Sequence, residues 1–259
     1  QLFNILENSL KKNKYFSRIN LKRKKNYFEN YDIVIVTDYF SPIAKKYFNK
    51  KIIKKYNSFA YTTIIEHKNI TNDIATQIFT KYGPLAFLPL SNNKTSIVYS
   101  INNSNLFSNE QIQDLIHNYN FKYKIKKINK IEFFELKSFY LRSYYNNKFL
   151  AFGDLLHRIH PLAGQGFNMT IRDIKIFLNL IKNRGNLGLP VDSSINSEFE
   201  NKTKHINFIF ANGVDLIHEF FNLERKIKND NISKSIQFLG KNPSINKVFT
   251  TLADKGILI

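Results

Sequence analysis

Along this chain the period of the hydrophobic pattern changes several times. Helical spacing from Leu2 to about Leu10 gives way to a polar, basic connector reaching residue 30. Tyr31-Asp32-Ile33-Val34-Ile35-Val36 is then a short continuous apolar run rich in β-branched residues, the pattern of a strand buried in a parallel sheet. It stops at Thr37-Asp38. Ser41-Pro42 opens a helix through Tyr47-Phe48, since the first helical position does not need the N–H that proline lacks. From residue 56 to 101 the pattern alternates by two or is β-branched, at Tyr61–Ile65, Ala75–Phe79 and Ser96–Ser100. Gly83-Pro84 and Ser91-Asn92-Asn93 read as turns, so this stretch is expected to be an antiparallel meander. A helix is predicted from Ser108 to about Tyr119, with Ile112, Leu115 and Ile116 apolar, and a strand over Lys130–Leu136.

A second buried strand follows at Lys148–Phe152, then Gly153-Asp154, a glycine-rich loop, and a helix from about Asn168 to Ile181. Ile171, Ile174, Phe177, Leu178 and Ile181 are expected to form its buried face. Gly185, Gly188 and Pro190 end it; residues 193–222 are helical again, and the remainder is helical and basic. The sequence has no internal repeat. The order α/β, antiparallel sheet, α/β, helices predicts an α/β composite: a doubly wound domain interrupted by a sheet domain and followed by C-terminal helices.

Composition narrows the chemistry. With 259 residues the chain has ample length to bury a core, and without cysteine it has no disulfide framework, thiol nucleophile or thiolate metal site. No apolar run is long enough to span a bilayer and no signal-peptide order opens the chain, so a cytoplasmic protein is expected. The net charge of +19 does not signal nucleic-acid binding. Only 7 of the 39 basic residues are Arg, the Lys are scattered apart from short runs such as Lys22–Lys25, and Asn and Ile are as abundant as Lys. A solvated basic surface is the favoured reading, and nucleic acid is not an expected partner.

Three of the nine glycines and two of the six histidines fall within residues 153–166. The stretch combines a strand end, an acidic residue, a proline bend and Gly164-x-Gly166 entering a helix. Unpaired N–H groups at the helix start, reinforced by its dipole, suit anionic or electron-rich ligand atoms. The glycines let the backbone approach a flat ligand, and Asp154 sits at a strand's carboxyl end, where α/β sheets hold ligands. Asp154, His157 and His160 at three-residue spacing also read as a metal triad, and a purely structural loop is the other alternative. No Gly-x-Ser-x-Gly elbow is present for a serine hydrolase.

Gly-Asp-x-x-His-x-x-His-Pro-x-x-Gly-Gln-Gly-x-Asn-x-x-x-x-Asp, residues 153–173, resembles the second flavin-contacting motif of the FAD-dependent ubiquinone-biosynthesis hydroxylases. Gln77-x-Phe79, Gly83–Leu90 and Ser96–Ser100 are similar to the sheet-domain pattern of the same family, and the resemblance extends over about residues 31–220. It implies an FAD-dependent monooxygenase that hydroxylates a polyprenylated phenol with dioxygen, reduced by NAD(P)H or another electron donor. Asp154 would hold the ribityl–pyrophosphate side of FAD. Pro161 and the Gly164-Gln165-Gly166 backbone would line the isoalloxazine ring, and Asn168 belongs to the same cofactor-binding motif. Phe87, Leu88 and Pro89 would face the substrate, with ordinary strand packing as the competing explanation. No catalytic residue and no metal is implied. By this resemblance residues 1–55 and 146–185 form a partial FAD-binding domain, 56–145 the substrate sheet domain, and 186–259 the C-terminal helices.

The chain also departs from the family. It lacks the N-terminal βαβ unit with Gly-x-Gly-x-x-Gly that seats the ADP half of FAD, so it is expected to start inside the family's domain and to bind FAD weakly or not at all by itself. Without that unit, an unpaired edge is expected around Ile33–Val36 and Phe149–Phe152. Tyr39 stands where a glycine would be expected, Leu155 and Leu156 replace small residues, and Thr170 replaces a glycine; each crowds the flavin site unless it faces the core. A partner chain supplying the missing half is one expectation. An inactive relic, a non-enzymatic basic interaction protein and a soluble aromatic-acid flavin hydroxylase are the alternatives. Phe220-Phe221 beside Arg225, Lys226 and Lys228 would be the place for peripheral contact with the inner face of a membrane.

Overall fold

A computed structural model describes residues 2–19, 27–102, 106–159 and 165–227. Two sheets carry the architecture. The smaller joins β1 (Val34–Val36), β9 (Phe149–Ala151) and β8 (Tyr145–Asn146) in the order β1-β9-β8. β1 and β9 run parallel, with Val34 opposite Phe149 and Val36 opposite Ala151. Val34, Val36, Leu150 and Ala151 are buried here with Leu155, Leu156 and Phe199. Pairing that joins residues more than a hundred positions apart explains why β1 reads as a buried parallel strand despite its length.

The chain opens with the helix α1 (Leu2–Lys11), and α2 (Pro42–Tyr47) leaves β1 through a local device. The Ser41 hydroxyl accepts the Ala44 N–H at 3.1 Å, and Pro42 occupies the first turn. The larger sheet is antiparallel, in the order β10 (His157–Arg158), β7 (Glu132–Leu141), β2 (Lys51–His67), β5 (Lys94–Ile101), β4 (Gly83–Ser91), β3 (Thr76–Thr80), with β6 (Ile125–Ile128) also on β2. Its spine is β2, which pairs with β7 on one side and β5 on the other. The expected domain boundary at residue 56 therefore falls inside a strand. Asn57, at φ 49°, accompanies a bulge that shifts the β2–β7 register between Lys55 and Phe59.

Gly83-Pro84 is not a turn. The turn is Lys81-Tyr82, between β3 (Thr76–Thr80) and β4 (Gly83–Ser91), with Thr80 opposite Gly83. Thr80 secures it, its hydroxyl donating to the Gly83 carbonyl at 2.8 Å. The helix α3 (Asn109–Tyr119) starts with a reciprocal cap between Ser108 and Gln111 and lays Ile112 and Ile116 on Tyr61, Ile65, Leu85, Phe87, Ile97 and Tyr99.

After β9 a 3-10 turn, Gly153–Leu155, leads into β10 (His157–Arg158), which joins the edge of the large sheet opposite Phe139 and Tyr140. The helices α4 (Gln165–Asn186) and α5 (Ser194–Ile227) then pack on the small sheet, where Phe152 stacks on Phe199 at 5.3 Å. Arg184 fastens their connection, donating to the Pro190 carbonyl at 2.9 Å, to the Ser194 hydroxyl and to Glu198.

The buried face of α4 differs from the expected one. Met169, Asp173, Phe177, Leu180 and Arg184 point inward, whereas Phe167, Ile171, Ile174 and Leu178 form an exposed row. Two charged residues occupy the inward row because tertiary partners neutralise them, which apolar periodicity does not register. The expected unpaired edge is also half right. Phe149–Ala151 is paired on both sides, while among the described residues β1 has a neighbour only at β9, and its Ile35 is 48% exposed.

Candidate functional site

The parallel β1–β9 pair brings two acidic residues to the same end of the small sheet. Asp38 follows β1 and Asp154 follows β9, both exposed. Asp38 is committed to local structure: its carboxylate accepts the Phe40 N–H at 2.8 Å and its carbonyl accepts from the Ser41 hydroxyl at 2.9 Å. Tyr39 turns away onto the large sheet, its ring 5.2 Å from Phe139 with the Lys51 ammonium 3.7 Å over its face.

Gly153 adopts φ 59°, a left-handed conformation that glycine tolerates and that turns the chain out of β9. Leu155 and Leu156 are wholly buried in the small-sheet core, so they face the core and do not crowd a ligand beside the loop. Thr170 does lie close: a Cβ on Gly153 would meet its methyl group at 3.9 Å. Its hydroxyl donates back to the Gly166 carbonyl at 3.2 Å.

Gln165 opens α4, and a Cβ built on Gly166 meets nothing within 4 Å. The first turn of α4 carries no acidic residue that would compete for its N–H groups. An exposed carboxylate at Asp154 and an open glycine at a helix start suit a ligand that offers hydroxyl donors on one side and an electron-rich edge on the other. A flavin has both, and these residues fit it. Asn168 is on the exposed side of α4. Pro161, Gly164 and His160 lie outside the described residues.

Behind this surface is a buried polar cluster that the motif contains but sequence reasoning did not assemble. His157 Nε2 is 2.8 Å from Asp173 Oδ2, both side chains essentially inaccessible. Arg172 reaches Asp173 Oδ1 at 3.1 Å and also hydrogen-bonds Asn207; Asn207 in turn donates to Asp173 at 3.3 Å. The two stems of the glycine-rich loop, β10 before it and α4 after it, are thus joined by a single charge-assisted bond. His157 points inward while Asp154 is exposed, so they do not converge as the metal triad would require. Among the described residues no group of three His, Cys, Asp or Glu is placed to hold a metal. The available signal was Asp173 itself, a carboxylate at the i+4 position between Met169 and Phe177 on a helix.

The expected substrate residues separate. Phe87 is wholly buried, stacked on Tyr123 at 5.6 Å under α3. Leu88 points to the opposite face, as adjacent strand residues must, so the two cannot line one pocket. Leu88 belongs to the face that α3 leaves open, where Leu88–Ser96–Ile64 and Ala86–Val98–Thr62 form two rows across β4, β5 and β2. Pro89 is half-buried next to a register shift. The side chains of Phe220, Phe221, Arg225 and Lys226, and all of Lys228, lie outside the described set. No helix among the described residues is long and apolar enough to cross a membrane.

Comparison with known proteins places this geometry in a family context. Residues 65–182 match the family model described as "FAD binding domain". The 3-demethoxyubiquinol 3-hydroxylase of Escherichia coli (strain K12) is 29% identical over 168 residues, covering 61% of this chain and 42% of that protein. The mitochondrial ubiquinone biosynthesis monooxygenase COQ6 of Xenopus tropicalis is 26% identical over 212 residues, covering 66% of this chain and 46% of that protein. The chain therefore spans less than half the length of these curated relatives. Among solved structures, the p-nitrophenol 4-monooxygenase PnpA of Pseudomonas putida DLL-E4 superposes with a TM-score of 0.68 at 10% identity, over 86% of this chain and 59% of that one. The flavin-dependent brominase Bmp2 gives 0.63 at 12% identity, over 86% and 57%. The fold is thus part of the fold these two proteins share.

Proposed function

We propose that this chain, a relative of the FAD-dependent ubiquinone-biosynthesis hydroxylases, is the flavin-contacting and substrate-facing portion of a monooxygenase that hydroxylates a polyprenylated phenol. The observation that carries this reading is the exposed Asp154 at the carboxyl end of β9, in the same motif as the open Gly166 start of α4. FAD bound there supplies the activation of dioxygen and the transfer of one oxygen atom, after reduction by NAD(P)H or another donor.

The chain's own residues bind and orient. Asp154 accepts hydrogen bonds from hydroxyls on the ribityl side, and the N–H groups from Gln165 onward face the electron-rich edge of the ring system. Asn168, Pro161 and Gly164 complete the cofactor contacts. The His157–Asp173 bond fixes the spacing of the loop stems. The face bearing Leu88, Val98 and Ile64, with Ser96 and Thr62 between them, carries the ring and tail of the substrate; none of the six positions in its two rows is charged, which favours a prenylated ring over one bearing a carboxylate.

In this reading residues 1–55 and 146–185 form the flavin part, 56–145 the substrate sheet and 186–259 the C-terminal helices. The edge of β1 that is unpaired among the described residues and the exposed row of α4 receive a βαβ segment, from the same protein or from a partner chain, which seats the ADP half of FAD. Peripheral membrane contact through the C-terminal helices would bring the site to a polyprenyl substrate.

The test is flavin absorbance of the purified chain with and without a co-expressed βαβ segment of a ubiquinone-biosynthesis hydroxylase. Retention of FAD only with the segment, and its loss on Asp154→Ala with unfolding temperature unchanged, is the expected result. A complemented protein that retains flavin equally well after Asp154→Ala would remove the site from this position.

A further inference from the structure

Among the described residues the large sheet ends on three strands, and two of them are guarded against further pairing. β10 offers only two residues, and β6 carries Lys126 and Lys127, both exposed, in its middle. β3 ends the sheet beyond β4 and has neither protection: Thr76-Gln77-Ile78-Phe79-Thr80 contains no charge and no proline. The chain also approaches along this rim. The Asn72 side chain donates to the Ser91 carbonyl at 2.8 Å, the residue that continuing the β3–β4 register puts opposite it.

Which backbone groups face outward follows from the turn. A two-residue hairpin closes on a hydrogen-bonded pair, here Thr80 and Gly83, and bonded and non-bonded pairs then alternate along the strands. Thr76, Ile78 and Thr80 therefore direct their N–H and C=O groups to β4, and Gln77 directs its own outward. Pro84, opposite Phe79 at a non-bonded position, agrees with this frame, since proline has no N–H to exchange.

We propose that β3 pairs antiparallel with β3 of a second copy of this chain, with Gln77 on the two-fold axis. What this register places together selects it. Asp73 of each copy comes opposite Lys81 of the other, so two exposed and opposite charges meet twice. Ala75 comes opposite Phe79, a small residue beside a large one. On the face toward α3, Ile78 of one copy lies diagonal to both Ile74 and Ile78 of the other, and Ile74 is 66% exposed in the single chain. Sliding the register by two residues loses both charge pairs. An unrelated strand gains the backbone bonds without the symmetric ion pairs, which favours a closed dimer of identical chains. The seam lies at the end of the sheet opposite β10 and the glycine-rich loop, so it stands or falls separately from the flavin reading.

Sedimentation velocity of the full chain from about 1 to about 500 μM tests it; so short a seam belongs to the weak class of interfaces, with an expected Kd of roughly 10–100 μM. Gln77→Pro removes the N–H at the axis and leaves the bonds to β4 in place, so it should weaken the dimer at least about tenfold with the circular dichroism spectrum unchanged. Asp73→Lys and Lys81→Asp should each weaken it about three- to tenfold, and the two together should restore it. If Gln77→Pro lowers thermal stability, this charge exchange alone decides. Ile35→Lys, on the small sheet, should leave the dimer unchanged. A chain that is monomeric at about 500 μM, a stably folded Gln77→Pro variant that dimerises as before, a dimer lost on Ile35→Lys, or a double charge variant as weak as the single ones would overturn the proposal.

Discussion

In the large sheet, Tyr61, Leu85, Phe87 and Ile97 are wholly buried beneath Ile112 and Ile116 of α3. In the small sheet, Leu150 and Ala151 are as well buried, but Ile35 of β1 is exposed and the α4 row Phe167-Ile171-Ile174-Leu178 faces outward, Leu178 at 58%. One region closes its core with elements near in sequence. The other leaves a strand edge and an apolar helix face uncovered among the described residues. An exposed apolar row next to a well-packed one marks a surface built for company. The difference separates the residues that stabilise this chain from the surface proposed to receive a βαβ segment.

The comparison can be broken at its well-packed end first. Phe87→Ala removes a ring stacked on Tyr123 and should destabilise the chain by about 3–5 kcal/mol in urea denaturation. A cost under about 1 kcal/mol would mean that the large-sheet core is not what holds the structure. In the small region the comparable loss should come from a polar residue. Asp173→Ala leaves Arg172 and His157 without their shared acceptor and should cost about 3–5 kcal/mol by the same measurement.

A smaller effect comes with alkali. Burial, chiefly, raises the Tyr144 hydroxyl above its ordinary pKa of 10.0. The folded state therefore holds this proton where the unfolded chain gives it up. The stability this represents is complete below pH 10 and is lost progressively as pH rises above it. Tyr144→Phe should flatten that alkaline slope, read from melting temperature against pH between about 9 and 11. The smallest change is expected at the open surface. Ile35→Lys should alter the stability of the chain by no more than about 0.5 kcal/mol yet abolish co-purification of a βαβ segment. A large loss of stability from Ile35→Lys would mean that this surface is already covered.

Much of this was legible in the chain. Ser41-Pro42 named a helix start and Ser108 another, because local chemistry decides each of them; the run Ile33–Val36 named a strand, though an edge one among the described residues, with Ile35 exposed. The face of α4 was not legible. Counting apolar positions favoured Ile171, Ile174 and Leu178, whereas the inward row contains Asp173 and Arg184, which can be buried only because His157 and Glu198 meet them from distant positions. The first half of β2 was hidden likewise: Lys51, Lys54 and Lys55 break the apolar alternation, and the left-handed Asn57 shifts it by a bulge. At the site, Asp154 and Gly166 were singled out by type and spacing. The separation of Phe87 from Leu88 follows from strand alternation and was already implicit in their adjacency.

The most direct measurement is isothermal titration of FAD into the 259-residue chain, alone and then with the βαβ segment bound. The account predicts no submicromolar affinity for the chain alone and stoichiometric, tight binding for the complemented protein. Submicromolar binding by the chain alone, or no binding after complementation, would contradict it.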